Sequence, residues 1–249
     1  MCGRYVSTAD AASVAAWFDA APAEQDLPAD YNVAPTKPVF IVADRPGREA
    51  DDPDVRQVLV ARWGLVPSWA KDPSIGSRMI NARAETVAQK PAFRRAFARR
   101  RCLVPADGYF EWYQPPAGPS TPLGRSGRPL KRPYYIHRGD GGSLALAGLY
   151  EWWHDPARSE DDQDSWLLTC TVITTDADDE LARIHDRMPM LVAAKDWPRW
   201  LDRSLDAEGA ADLLHPGSAA DLVAQEVSTL VNAVGNNGPE LIAPLPTTE

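Results

Sequence analysis

Residues 101–113 read RCLVPADGYFEWY, a run crowded with β-branched and aromatic residues. Three similar runs follow: RPYYIHR at 132–138, SLALAGLYEWW at 143–153 and SWLLTCTVITT at 165–175. Segments of this length and composition, bounded by turn-forming residues, favour β-strands. The stretches between them, 114–132 and 154–164, are rich in Pro and Gly or in acids and read as exposed loops. Upstream, YNVAPTKPVFIVA (31–43) reads as a Pro-containing loop feeding a strand, and RQVLVARWGLVPSW (56–69) as a strand ending in a turn. Strand runs dominate, and no linker or internal repeat divides them.

Helical pattern is scattered and short. Ser7 to Asp10 forms an S-x-x-D box ahead of AASVAAWFDAA (11–21), predicting a small helix with Trp17 and Phe18 turned inward. KPAFRRAFARRR (90–101) has Pro91 at a helix start, Phe93 and Phe97 four apart on an inward face, and its arginines outward. Further turns of helix are expected at 176–185, 196–201 and 207–215, a short strand at 187–193, and a closing strand at 224–232. The helices do not alternate with strands in βαβ order. The expected fold is therefore α+β: a single domain over 1–249, with a curved or barrel-like, mostly antiparallel sheet flanked by helices.

The chain has 249 residues, 44% of them apolar, enough for a substantial core. No apolar run reaches the ~18 residues of a membrane span, and no secretory leader is visible. Three cysteines (Cys2, Cys102 and Cys170) are too dispersed for a zinc motif or a disulfide framework. The expectation is a reduced, cytoplasmic protein without metal or cofactor. Net charge is −9, yet residues 78–138 hold 13 Lys and Arg against three acids, a local surplus of +10. That is the footprint a polyanion binder needs; a solvated basic helix and loop would give the same count.

Position 2 raises a separate question. Removal of Met1 would give Cys2 a free α-amine beside its thiol. Their ordinary pKa values, about 8 and about 8.5, leave both usable near neutrality. The amine condenses with an aldehyde to a Schiff base, and the thiol then closes on the imine carbon as a five-membered thiazolidine. A small residue at position 2 also simply permits Met1 removal. Glu111 stands between aromatics in FEW, where burial would raise its pKa and make it a proton donor. His185 adjoins Asp186 and Arg187, a setting for a tuned acid/base or for a structural histidine. Trp63 and Trp69 bracket a turn, as core residues or as stacking surfaces.

MCGRY (1–5), YNVAPT (31–36), WGLVPSWAKD (63–72), INARAET (80–86), RCLVPADGYFEW (101–112) and IHDRMPM (184–190) occur in that order. Together they resemble the SRAP (SOS response-associated peptidase) family over nearly the full chain. The resemblance implies binding of single-stranded DNA and covalent cross-linking to abasic sites through Cys2. Asn81 would orient the sugar or the Cys2 thiolate, Glu111 would shuttle protons, and His185 would open the deoxyribose ring. DNA contacts are implied for Arg4, Asn32, Pro35, Trp69, Arg83, Thr174 and Arg187. Arg4 and Arg83 would grip backbone phosphate, and Trp69 would stack where the strand bends; Ala70 stands where some relatives carry a second Trp. The implied protein is a monomer, nucleoid-associated if bacterial, with no membrane partner. A thiol peptidase acting on its own or other N-termini, and a non-covalent DNA-binding module, are the alternatives. MCG also opens the class II glutamine amidotransferases, whose later motifs are missing here.

Overall fold

A computed structural model describes residues 2–47, 49, 52–119, 121–124, 127–159, 161–215 and 221–245. In chain order the elements are β1 (Tyr5–Ser7), α1 (Ala11–Phe18), β2 (Asp30–Val33), β3 (Pro38–Arg45), β4 (Val55–Trp63), β5 (Asn81–Arg83), α2 (Arg94–Arg99), β6 (Arg101–Ala106), β7 (Gly108–Tyr113), β8 (Arg132–Arg138), β9 (Leu144–His154), β10 (Trp166–Asp176), α3 (Asp179–Ala182), β11 (Arg187–Pro189), α4 (Trp197–Leu201), α5 (Ala207–Ala211) and β12 (Leu222–Glu226).

Five strands close on themselves in the order β10-β4-β3-β6-β9 and back to β10. All pairings in this barrel are antiparallel except β10 with β4. β5 and β11 add to β10 toward one end of the barrel. A second sheet, β12-β8-β7-β1-β2, is antiparallel throughout. The α+β, barrel-like architecture matches the expectation from sequence. Among the described residues no helix is long and apolar enough to cross a membrane.

The run 101–113 is not one strand but two. β6 belongs to the barrel and β7 to the second sheet, and the chain changes sheets at Asp107. Asp107 fixes the corner: its N–H donates to the Val6 carbonyl (2.9 Å), and its Oδ2 accepts from Thr8 N (2.8 Å) and Thr8 Oγ1 (2.6 Å). Gly108 follows because a Cβ there would lie 2.5 Å from the Tyr135 ring and 2.7 Å from the Ile136 carbonyl.

Both faces of β3 are buried, which is why it reads as a continuous apolar run rather than an alternating one. Phe40 and Val42 join a core with Leu103, Ala147 and the helical residues Phe18, Phe97 and Trp200. Val39, Ile41 and Ala43 turn the other way, into a core with Cys102, Val104, Cys170 and, from the N-terminus and second sheet, Cys2, Tyr5 and Tyr109.

Local expectations are corrected at five points. In α1, Asp10 is the N-cap, its Oδ1 accepting from Ser13 N (2.7 Å), while Ser7 lies in β1. Trp17 points outward and is 46% exposed; only Phe18 is core. The helix expected over 90–101 begins at Arg94, after turns that contain Pro91. Its last arginine does not face out. Arg101 is buried and donates to the carbonyls of Phe97, Ala98, Trp200, Asp202 and Leu205, tying the ends of α2 and α4 together. The closing strand stops at Glu226, and 229–232 is a 3-10 turn capped by Ser228 Oγ on Leu230 N.

Candidate active site

Cys2 is fully buried between barrel and second sheet. Its carbonyl accepts from Asn81 Nδ2 at 2.7 Å, and its thiol receives the Arg4 backbone N–H. Asn81 opens β5, which pairs in parallel with β10 through Asn81 and Val172. The barrel wall thus delivers the asparagine to the N-terminus, where it orients the Cys2 backbone rather than the sulfur. Asn81 Oδ1 is buried and has no hydrogen-bond partner among the described residues. Burial, with the nearby Glu111 carboxylate, pushes the thiol pKa up.

Glu111 comes from β7. Phe110 N donates to the Arg4 carbonyl (2.9 Å), so the β1–β7 ladder sets Glu111 close to the Cys2–Arg4 segment. Glu111 is 3% exposed, and burial pushes its carboxyl pKa up to about 7 against the pull of neighbouring positive charge. His185 follows α3. Its Nδ1 lies 3.0 Å from the Arg187 backbone N–H. The Asp186 carboxylate, 2.8 Å from the same nitrogen, is on a side chain 86% exposed and screened by solvent. Burial lowers the His185 pKa and keeps the ring neutral.

Glu111 and His185 share a cavity of about 670 Å³ with Arg4, Trp112, Leu130, Lys131, Thr229 and Asn232. Its far wall is the segment after β12. Arg4 donates to Asn32 Oδ1 (2.7 Å) and to the Val231 carbonyl (3.0 Å), with its guanidinium 5.7 Å from the Trp112 ring centre. The buried Asn32 side chain donates to the carbonyls of Ala233 and Asn236, each at 3.0 Å. Trp112 Nε1 donates to Asn232 Oδ1 at 2.7 Å.

Cys2, Arg4, Asn32, Asn81, Glu111 and His185 therefore come together. The remaining sequence-derived residues spread outward. Thr174 is buried, and its carbonyl accepts from Ala84 N (2.9 Å) and an Arg187 guanidinium nitrogen (2.7 Å). Arg187 also pairs with Glu85 (2.6 Å) and Asp176 (2.5 Å), which commits its charge to the local fold. Pro35 is half-buried in a turn where Thr36 takes a φ of 72° and donates its N–H to the Trp63 carbonyl (2.8 Å). Arg83 is exposed at the end of β5. The two tryptophans separate: Trp63 is core, edge-on to Tyr5 at 5.2 Å, whereas Trp69 is 55% exposed. Trp112, Leu130, Lys131, Thr229 and Asn232 line the cavity without having been singled out from sequence. Lys131 ends a segment that read as a featureless loop, and Thr229 and Asn232 fell in an expected strand.

Residues 1–234 match the family described as SOS response associated peptidase (SRAP). The chain is 36% identical over 248 residues to the abasic site processing protein YoqW of Bacillus subtilis, covering 97% of this chain and 99% of that one. It is 30% identical over 241 residues to the abasic site processing protein HMCES of Gallus gallus, covering 86% of this chain and 66% of that one. A crystal structure of a protein from Bacteroides thetaiotaomicron superposes with a TM-score of 0.78 at 27% identity, covering 98% of this chain and all of that one. The family match runs from the N-terminal MCGRY through Thr229 and Asn232 on the far wall of the cavity, and the chain belongs to the SOS response associated peptidase family.

Proposed function

We propose that this protein processes abasic sites in single-stranded DNA by joining Cys2, once Met1 is removed, to the open aldehyde of the deoxyribose. The Cys2 amine adds to C1′, and loss of water gives the imine. The thiol sulfur then bonds to C1′ while its proton passes to the nitrogen, so that one water leaves and a thiazolidine remains. His185, neutral at the cavity wall, takes the proton of the C1′ hydroxyl as the sugar ring opens and returns it to the ring oxygen. Glu111 donates and accepts protons through carbinolamine dehydration. Asn81 holds the Cys2 backbone so that amine and thiol meet the same carbon, and Arg4 and Arg83 meet the strand's phosphates.

The observation that carries this reading is Glu111. A carboxyl held at about 7 beside Cys2, on the wall of a cavity large enough for a nucleotide, is half protonated at neutral pH and serves both directions of proton transfer. The raised thiol pKa supports it further. A protonated thiol is a poor free nucleophile for a peptidase, whereas closure onto an adjacent imine is intramolecular.

Intact-mass spectrometry with an abasic oligonucleotide tests this directly. The expected result is protein lacking Met1 and a DNA adduct that survives denaturation without borohydride, with no adduct from Cys2→Ala. Retained Met1 and no adduct would sink the mechanism. An adduct trapped only by borohydride would stop the chemistry at the Schiff base.

A further inference from the structure

Some distance from the cavity, Ser68, Arg95, Ala98, Arg99, Arg100 and Glu151 line a groove of about 450 Å³. Three arginines and one glutamate share this lining. Glu151 is 6% exposed at the base of the groove, and its Oε2 accepts from Arg100 at 2.6 Å. Arg100 Nε is buried without a hydrogen-bond partner, and Arg95 and Arg99 are exposed with no hydrogen-bond or ion-pair partner among the described residues. Arg95 and Arg99 stand four apart on α2, where like charges oppose helix formation. A solvated helix face has no need of that arrangement. A concave cluster with surplus positive charge over a buried acid presents donors to an anion.

The groove is also aligned with the site. Glu151 of β9 pairs with Thr169 of β10, while Asp176 at the other end of β10 pairs with Arg187, next to His185. Seven residues of strand separate the two positions by roughly 23 Å. On the opposite edge of β10 lie Arg83, beside Thr174, and the turn carrying Trp69, whose Val66 N–H donates to Thr169 Oγ1 at 2.9 Å. Arg83 and Trp69 are both exposed, and Trp69 directly follows Ser68 of the groove.

We infer that the groove of Ser68, Arg95, Arg99 and Arg100 is a second phosphate subsite, which holds the backbone of the lesion strand several nucleotides from the abasic site. The inference rests on the proposed reading of the cavity and adds a length requirement: a short strand fills the cavity, and only a longer one reaches the groove. Trp69, next to Ser68, supplies a stacking surface beside the groove.

The test compares wild type with the double variant Arg95→Ala, Arg99→Ala on an abasic trimer, a long abasic single strand, a long undamaged strand, and a trimer-length overhang on a duplex. Both side chains are exposed, and a thermal melt confirms that the fold is kept. The expected result is unchanged adduct formation with the trimer and weaker binding of both long strands. The slope of log affinity against log salt for the long strands should become less steep by about 1.4, or about 0.7 for each of two lost phosphate contacts. Arg95→Lys with Arg99→Lys should restore most of the affinity. Unchanged affinity and slope on the long strands would overturn the inference, as would a loss confined to the duplex substrate, which would assign the groove to a second strand. If wild type forms no adduct with any abasic strand, yet the double variant still loses undamaged long strands, the groove stands and the cavity reading falls.

Discussion

The central barrel strand β3 and the open sheet bury different things. Along β3, Val39, Phe40, Ile41, Val42 and Ala43 are all buried and all apolar, as are Cys102, Leu103 and Val104 of β6. The second sheet carries Glu111 and Asn32 into equally deep positions and sets Arg4 beside them. A buried carboxyl with a raised pKa works against folding, whereas the closed barrel has no free edge, gains from each methyl it hides and holds its own buried charges against partners, Glu151 on Arg100 and Arg101 on backbone carbonyls. The stability gained in one region offsets the cost of holding unfavourable groups in the other, a division expected where chemistry needs a desolvated acid.

The sharpest way to break the contrast is to damage the barrel core. Trp200 is fully buried, and its Nε1 donates to the Cys102 carbonyl at 2.8 Å. Trp200→Ala should cost about 3–5 kcal/mol in denaturant unfolding. Adduct formation per folded molecule should stay at the wild-type level, because Trp200 packs in the core with Phe40 and Leu103 and not in the one that holds Cys2. A variant of normal stability would show that the barrel is not the scaffold described here.

Glu111→Gln should act in the opposite direction and depend on pH. The folded carboxyl titrates near 7, above its ordinary 4.5, so folding favours the protonated form. The group's favourable contribution is present below the ordinary value, is lost as pH rises toward 7, and is fully lost above it. Gln cannot ionise, so the variant should be more stable than wild type at pH 8, by on the order of 3 kcal/mol, with little difference near pH 4. Adduct formation should fall while the melting temperature rises. A variant less stable than wild type at pH 8 would mean that the carboxylate is a net structural asset.

Trp69→Ala should have the smallest effect on the fold, within about 0.5 kcal/mol, since the ring is 55% exposed. Single-strand binding should weaken by about 1–3 kcal/mol through lost stacking. A destabilised fold with unchanged binding would return Trp69 to the same structural class as Trp63.

Much of the candidate site is legible in the primary structure because its chemistry is tied to short stretches. Cys2 must be second in the chain to offer an amine and a thiol together. Glu111 sits between Phe110 and Trp112, which announce its burial. Asn81 and His185 lie in compact motifs at strand and helix ends. The far wall of the cavity carries no such mark. Thr229 and Asn232 reach it because Asn32 and Arg4, some 200 residues earlier, hold the carbonyls of Val231, Ala233 and Asn236. Likewise nothing local to WGLVPSW separates a core Trp63 from an exposed Trp69, and nothing in FARRR marks Arg101 as the arginine that goes inside.

Residue composition and order were enough to determine strand content, the apolar runs that become barrel walls, the cysteine at position 2 and the acid between two aromatics. These are properties of near neighbours, settled by side-chain shape, hydrophobicity and covalent position. The tertiary structure alone decided that 101–113 divides between two sheets, that Arg187 is consumed by Glu85 and Asp176, and that Lys131, Thr229 and Asn232 face Glu111 across one cavity. Those outcomes depend on contacts between distant segments, and their energies exist only once the chain has closed on itself.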